Sequence, residues 1–143
     1  MFGPDGYLYA TDDMGKAILR YNGSTGAFID AFVPAATSGL NIPLVAALGP
    51  DGKLYVGDYL GNNTGVVRKY NGTTGASMRI LTSGAYVMEK PHGLVFGSDG
   101  NLYVADYADI VKYNGVTGAF MSIFVPSSSL ILQMMSNYLC APT

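Results

Sequence analysis

The chain has 143 residues and a net charge of −2, with 8 Lys and Arg against 10 Asp and Glu. Charged residues are only 13%, about half the ~25% of an ordinary globular domain. No basic run exceeds Arg68-Lys69, which excludes the electrostatic footprint of a nucleic-acid binder or a basic membrane-surface protein. The lone cysteine, Cys140, excludes an intrachain disulfide and a multi-thiolate metal site. No charged and then apolar leader pattern opens the chain, and no apolar stretch approaches the ~20 residues of a spanning helix. The expectation is a soluble protein whose compartment stays open.

In chain order, the first unit begins with GPDGYLYATD, Gly3 to Asp12, followed by ILRYNGSTGAF, Ile18 to Phe28. The second repeats both phrases as GPDGKLYVGD, Gly49 to Asp58, and VRKYNGTTGAS, Val67 to Ser77. The third has GSDGNLYVAD, Gly97 to Asp106, and IVKYNGVTGAF, Ile110 to Phe120. Tyr21, Tyr70 and Tyr113 are 49 and 43 residues apart, a period that reads as a propeller blade rather than a solenoid coil.

Each unit predicts four strands. Strand A lies around Leu44 to Leu48 or Gly93 to Phe96, B is the LYVAD-like run, C the VRKY-like run and D the GAFIDAFV-like run. Leu8, Ala10, Leu54, Val56, Leu102 and Val104 alternate with residues of other character, as strands require, and helical periodicity is absent. Gly-Pro-Asp-Gly makes a tight hairpin, with Pro presetting φ, Asp bonding nearby backbone and Gly accepting positive φ. Tyr-Asn-Gly with Thr-Gly makes a second turn. That turn also accounts for the glycosylation-like triplets at Asn22 and Asn71.

PHGLVFGSDGNLYVAD, Pro91 to Asp106, resembles the phrase of the NHL-repeat and streptogramin-lyase-like β-propellers. The resemblance runs over residues 2 to about 126. It implies a six-bladed ring and a function anywhere from lyase or lactonase to pure interaction module. In the lyases it also implies a histidine near the channel mouth and a divalent metal held by channel-lining acids or asparagines.

The recognisable units supply eleven strands, and three blades cannot close a ring. The chain opens at Met1-Phe2-Gly3-Pro4, where strand A of the first unit should finish, so the first blade lacks its inner strand. Pro34 to Pro43 and Pro126 to Met135 share one offset, which places Ser136 to Cys140 where another strand A belongs. The expectation is therefore an all-β, head-to-tail homodimer. It has blades at about 2–34, 42–83 and 91–126, and a tail strand at about 135–141 that completes the partner's first blade. Twenty-four strands would then form six blades of four. The competing expectation is a fragment of a longer propeller without a function of its own.

For chemistry, the single histidine, His92, lies on strand A, and Glu89 is the acid near it in sequence. The two are the candidate catalytic pair, since a general base needs a partner to orient it, with Mg²⁺ or Ca²⁺ as the cofactor implied by the resemblance. The plainer reading is that His92 bonds a backbone carbonyl at the blade edge. Asp12, Asp58 and Asp106 end strand B in every unit and read as backbone anchors of the B to C loop. Asp5, Asp51 and Asp99 are turn residues. Tyr9, Tyr55 and Tyr103, and Tyr21, Tyr70 and Tyr113, pack between blades. No phosphate loop or nucleophile elbow occurs. The functional expectation is non-enzymatic binding or scaffolding, with a small molecule possible at the central channel; the alternative is a lyase or hydrolase using His92.

Overall fold

A computed structural model describes residues 1–82 and 84–128. The tail strand expected at 135–141 lies outside the described residues. The first sheet contains β1 (Tyr7–Asp12), β2 (Ala17–Asn22) and β3 (Phe28–Val33), and is followed by a single helical turn, α1 (Ala35–Ser38). The second contains β4 (Ile42–Leu48), β5 (Leu54–Gly61), β6 (Thr64–Tyr70) and β7 (Ser77–Ile80). The third contains β8 (Gly93–Phe96), β9 (Leu102–Ala105), β10 (Ile110–Tyr113) and β11 (Phe120–Val125). Each sheet is an antiparallel meander in chain order.

α1 is a single four-residue turn in an otherwise all-β set of described residues. It is stopped by Gly39 at φ 67, and its Ser38 is buried because it joins the units. Ser38 Oγ donates to Lys16 O at 3.0 Å and accepts from Leu40 N–H at 3.0 Å, while its carbonyl accepts the Tyr70 hydroxyl at 2.6 Å.

The two repeated turns hold each unit in register. In the first, Gly6, Gly52 and Gly100 have φ of 80, 68 and 74, and Asp5, Asp51 and Asp99 each accept the N–H two residues on at 3.1 Å. In the second, the positive φ falls not on the Asn-Gly glycine but on Gly26, Gly75 and Gly118. The Asn side chain accepts the two following free N–H groups, as Asn71 does from Thr73 and Thr74. The Asn-Gly glycines are required for a different reason: a Cβ on Gly23, Gly72 or Gly115 would overlap the carbonyl oxygen of Gly6, Gly52 or Gly100. The two turns therefore lean on each other through bare backbone. Gly72→Ala must push them apart and is expected to cost roughly 3 kcal/mol, near the top of ordinary single substitutions, read as a lowered urea midpoint.

Side-chain alternation places one apolar layer between each pair of sheets. Between the first and second sheets Tyr9, Ile18, Phe32 and Val33 meet Leu54, Val56 and Tyr70. Between the second and third, Tyr55, Val67 and Leu81 meet Leu102, Val104, Val111 and Tyr113. No sheet has a core of its own. Burial pushes the Tyr70 phenol up to about 12, so its hydroxyl remains a donor to Ser38 at any physiological pH. The edge strands β1, β4 and β8 succeed one another in space.

Candidate functional site

The aspartates that end the B strands do more than anchor the following loop. Asp58 is fully buried. Its Oδ1 accepts the N–H groups of Asn41 and Ile42, both at 2.9 Å, and its Oδ2 accepts Arg68 Nε at 2.7 Å. Asp106 does the same one unit later, accepting Glu89 N–H at 2.8 Å and Lys90 N–H at 2.5 Å. Both carboxylates thus hold the two residues that immediately precede Pro43 and Pro91 and lead the chain into strand A. Only Asp12 bonds the B to C loop, through Gly15 N–H at 2.8 Å. The loop expectation is corrected at Asp58 and Asp106, because the buried N–H groups of an incoming strand leave no room for an alternative partner.

His92 sits one residue before β8, and its N–H donates to Ala105 O at 2.8 Å. Its side chain is exposed. Burial of its surroundings and the Lys90 charge lower its pKa against the opposing pull of Asp106, so the imidazole is neutral at pH 7. Glu89 is exposed, and its backbone is what Asp106 uses. Among the described residues, no hydrogen bond or ion pair joins His92 to Glu89. The Pro91 ring between them lies against Gly57 and Gly65 of the second sheet, where a Cβ would collide with it.

A polar cluster beside this segment was not expected from the sequence. The Tyr86 hydroxyl lies 3.0 Å from Asp106 Oδ2 and 3.2 Å from Asp109 Oδ2, and its ring stacks on Phe120 at 5.9 Å. Burial and the two carboxylates raise the phenol far above its ordinary range, which makes Tyr86 a permanent donor. Asp109 Oδ1 accepts Ser127 N–H at 2.6 Å. Tyr86 and Met88 also line a cavity of about 180 Å³ with Thr64, Val66 and Tyr113. Among the described residues no three of His, Cys, Asp and Glu converge as a metal-ligand set, and no helix is long and apolar enough to cross a membrane.

Turn aspartates and strand tyrosines also meet. The hydroxyls of Tyr9, Tyr55 and Tyr103 reach Asp5, Asp51 and Asp99 at 2.7, 3.0 and 2.9 Å. Lys69 and Lys112 lie over the rings of Tyr55 and Tyr103 at 5.1 and 5.3 Å and pair with Asp51 and Asp99 at 2.7 and 2.8 Å. Bonds from Lys112 and Asn101 hold the Asp99 carboxyl well below the carboxylate range. This Tyr-Asp-Lys set recurs in the second and third sheets; in the first, Arg20 pairs with Asp30 instead and lies over Tyr7 and Phe32. The tyrosine ring is buried at Tyr9 and Tyr55 and partly open at Tyr103.

Neither a known protein family nor a curated protein sequence matches the chain. Solved structures do. A chain of the nidogen/laminin complex superposes with TM-score 0.59 at 20% identity, over 80% of this chain and 42% of that one. The extracellular domain of the hybrid two-component system BT3049 from B. thetaiotaomicron superposes with TM-score 0.64 at 15% identity, over 88% of this chain and 16% of that one. The chain thus spans less than half of either neighbour, and identities this low speak for fold alone. Together with three successive antiparallel meanders stacked through shared apolar layers, they place the protein in the β-propeller class.

Proposed function

We propose that the protein is a non-catalytic binding or scaffold module that closes a six-bladed ring by joining head to tail with a second copy. One observation carries this: the residues that seal each layer between sheets are buried twice and left open once. Phe32 and Leu81 are 7% and 2% exposed against the next sheet, whereas Phe124, in the same repeat position, is 56% exposed. On the opposite face Leu54 and Leu102 are 1% and 0% exposed, whereas Leu8 is only half-buried. The open face of the third sheet has the chemistry that the first and second sheets already use. The open face of the first sheet has the chemistry that meets it. A second copy satisfies both at once, and contiguous apolar faces of this kind are rarely left in water.

The binding role is supported by how the acids are used. Asp58 and Asp106 are committed to backbone N–H groups and, among the described residues, no carboxylate hydrogen-bonds to His92, so the ring's channel mouth offers shape and loops rather than an assembled acid and base. One structural neighbour is a complex of nidogen with laminin, consistent with a scaffold that binds through its surface. Light scattering on the full chain at micromolar concentration is expected to give twice 15.1 kDa. A stable monomer would overturn the ring.

A further inference from the structure

The inner edge of β1 is only partly paired. Met1 and Tyr9 exchange both backbone bonds at 2.8 Å, and Phe2 bridges Leu8. In repeat register these two residues stand where Ala47 and Leu48 pair with Tyr55 and Leu54. The first sheet therefore possesses the last two positions of its strand A, which refines the expectation that it lacks the strand altogether. Bonded and non-bonded pairs alternate along an antiparallel ladder, so Thr11 is the next residue of β1 whose N–H and C=O point out of this edge. Its counterparts elsewhere are filled, Gly57 by Val45 and Ala105 by Gly93. Among the described residues nothing pairs with Thr11 on this side.

The unpaired edge is the wall of a groove of about 350 Å³ between β1 and β4, lined by Met1, Tyr9, Ala10, Thr11, Leu44 and Ala46. At its far end stands Asp12, the counterpart of the two carboxylates that clasp the lead-in to strand A in the other sheets. Here, among the described residues, Asp12 accepts only Gly15 N–H. The outward N–H and C=O of Thr11, an apolar trough and a carboxylate placed for two N–H groups together form an acceptor for one more strand.

We propose that this groove is a strand-acceptor site filled by residues 134–138 of a second copy, an inference that rests on the ring proposed above. The repeat register places Tyr138 opposite Ala10, Asn137 opposite Thr11, and the N–H groups of Gln133 and Met134 at Asp12. Connection length selects the second copy over the chain's own tail. Residues 34–41 carry the chain from β3 to the inner strand of the next sheet. The same span after Val125 reaches one sheet forward, which in the ring is the partner's first sheet and not this chain's own, two sheets back.

The test places one cysteine on each side of the site in the full chain: Ala10→Cys with Tyr138→Cys in a Cys140→Ser background. This pair falls at a non-hydrogen-bonded position, where Cα atoms about 4.5 Å apart suit a disulfide. Mild oxidation is expected to give a reducible covalent dimer of twice 15.1 kDa. The off-register pair Ala10→Cys with Asn137→Cys is expected to link at least tenfold more slowly, and equal rates would overturn the register. A disulfide closed within one chain would overturn the choice of occupant. Absence of linkage in a protein of dimer mass would overturn the site and leave the ring standing, whereas absence of linkage in a monomer would overturn both.

Discussion

Phe124→Asp is expected to convert the proposed dimer into a monomer of 15.1 kDa at micromolar concentration. Phe124 lies on the open face of the third sheet, edge-to-face on Tyr103 at 4.9 Å between ring centroids, in the position that Phe32 and Leu81 occupy inside the molecule. Burying a phenylalanine is worth about 2–3 kcal/mol, and an unpaired carboxylate in its place adds a desolvation cost. A loss of about 3 kcal/mol is over a hundredfold in association at one junction. The proposed ring would have two equivalent junctions, so the effect would enter squared, roughly 10⁴-fold. Light scattering across a dilution series measures it, and Val116→Asp, on a turn that is 77% exposed, serves as the control that should remain dimeric. Dimer mass unchanged by Phe124→Asp would mean that the open face is not the junction.

The second large effect belongs to Asp58. In Asp58→Asn one oxygen can still accept from Asn41 and Ile42, but the amide turns a neutral N–H₂ toward the Arg68 guanidinium. Stripping a buried charge pair of one partner costs about 3–5 kcal/mol, and Arg68, with 20% of its side chain exposed, turns its Nε to the fully buried Asp58 carboxylate. Asp12→Asn, made in the Phe124→Asp background, keeps an amide oxygen for the exposed Gly15 N–H, exchanging only a charged acceptor for a neutral one, and should cost about 1 kcal/mol or less. Urea midpoints at equal m-values give both numbers. Equal costs would refute the idea that the two carboxylates clasp an incoming strand.

The fold was legible because the sequence states its turn chemistry three times. Gly-Pro-Asp-Gly, or Gly-Ser-Asp-Gly in the third unit, and Tyr-Asn-Gly-x-Thr-Gly fix each hairpin locally, and the alternation of apolar residues between them decides which face each side chain meets. What depends on distant pairing was not legible. Asp58 and Asp106 bind residues 16 or 17 positions earlier in the chain, and nothing within a strand's own period indicates that partner. α1 is four residues long, shorter than one window of helical periodicity. The meeting of Tyr86 with Asp106 and Asp109 depends on how the connection after β7 crosses the third sheet, which composition does not encode.

His92 and Glu89 illustrate the opposite lesson. They are near in sequence, yet Pro91 keeps its predecessor extended, and an odd separation in extended chain turns two side chains to opposite sides. Their failure to hydrogen-bond to each other follows from spacing already present in the sequence. The repeated tyrosines were expected to pack between sheets, and Tyr9, Tyr55, Tyr70 and Tyr113 do. The hydroxyl bond from Tyr9, Tyr55 and Tyr103 to the turn aspartate four residues earlier is a regular period that three aligned copies already contain.

Because every apolar layer lies between sheets and none within one, a unit carries two unlike faces and each fits the other. Inserting or deleting a whole unit would leave the two ends of the stack chemically unchanged. Size is then a matter of wedge angle rather than of contact chemistry, and a lineage of such chains could change its number of units by duplication without redesigning a single junction.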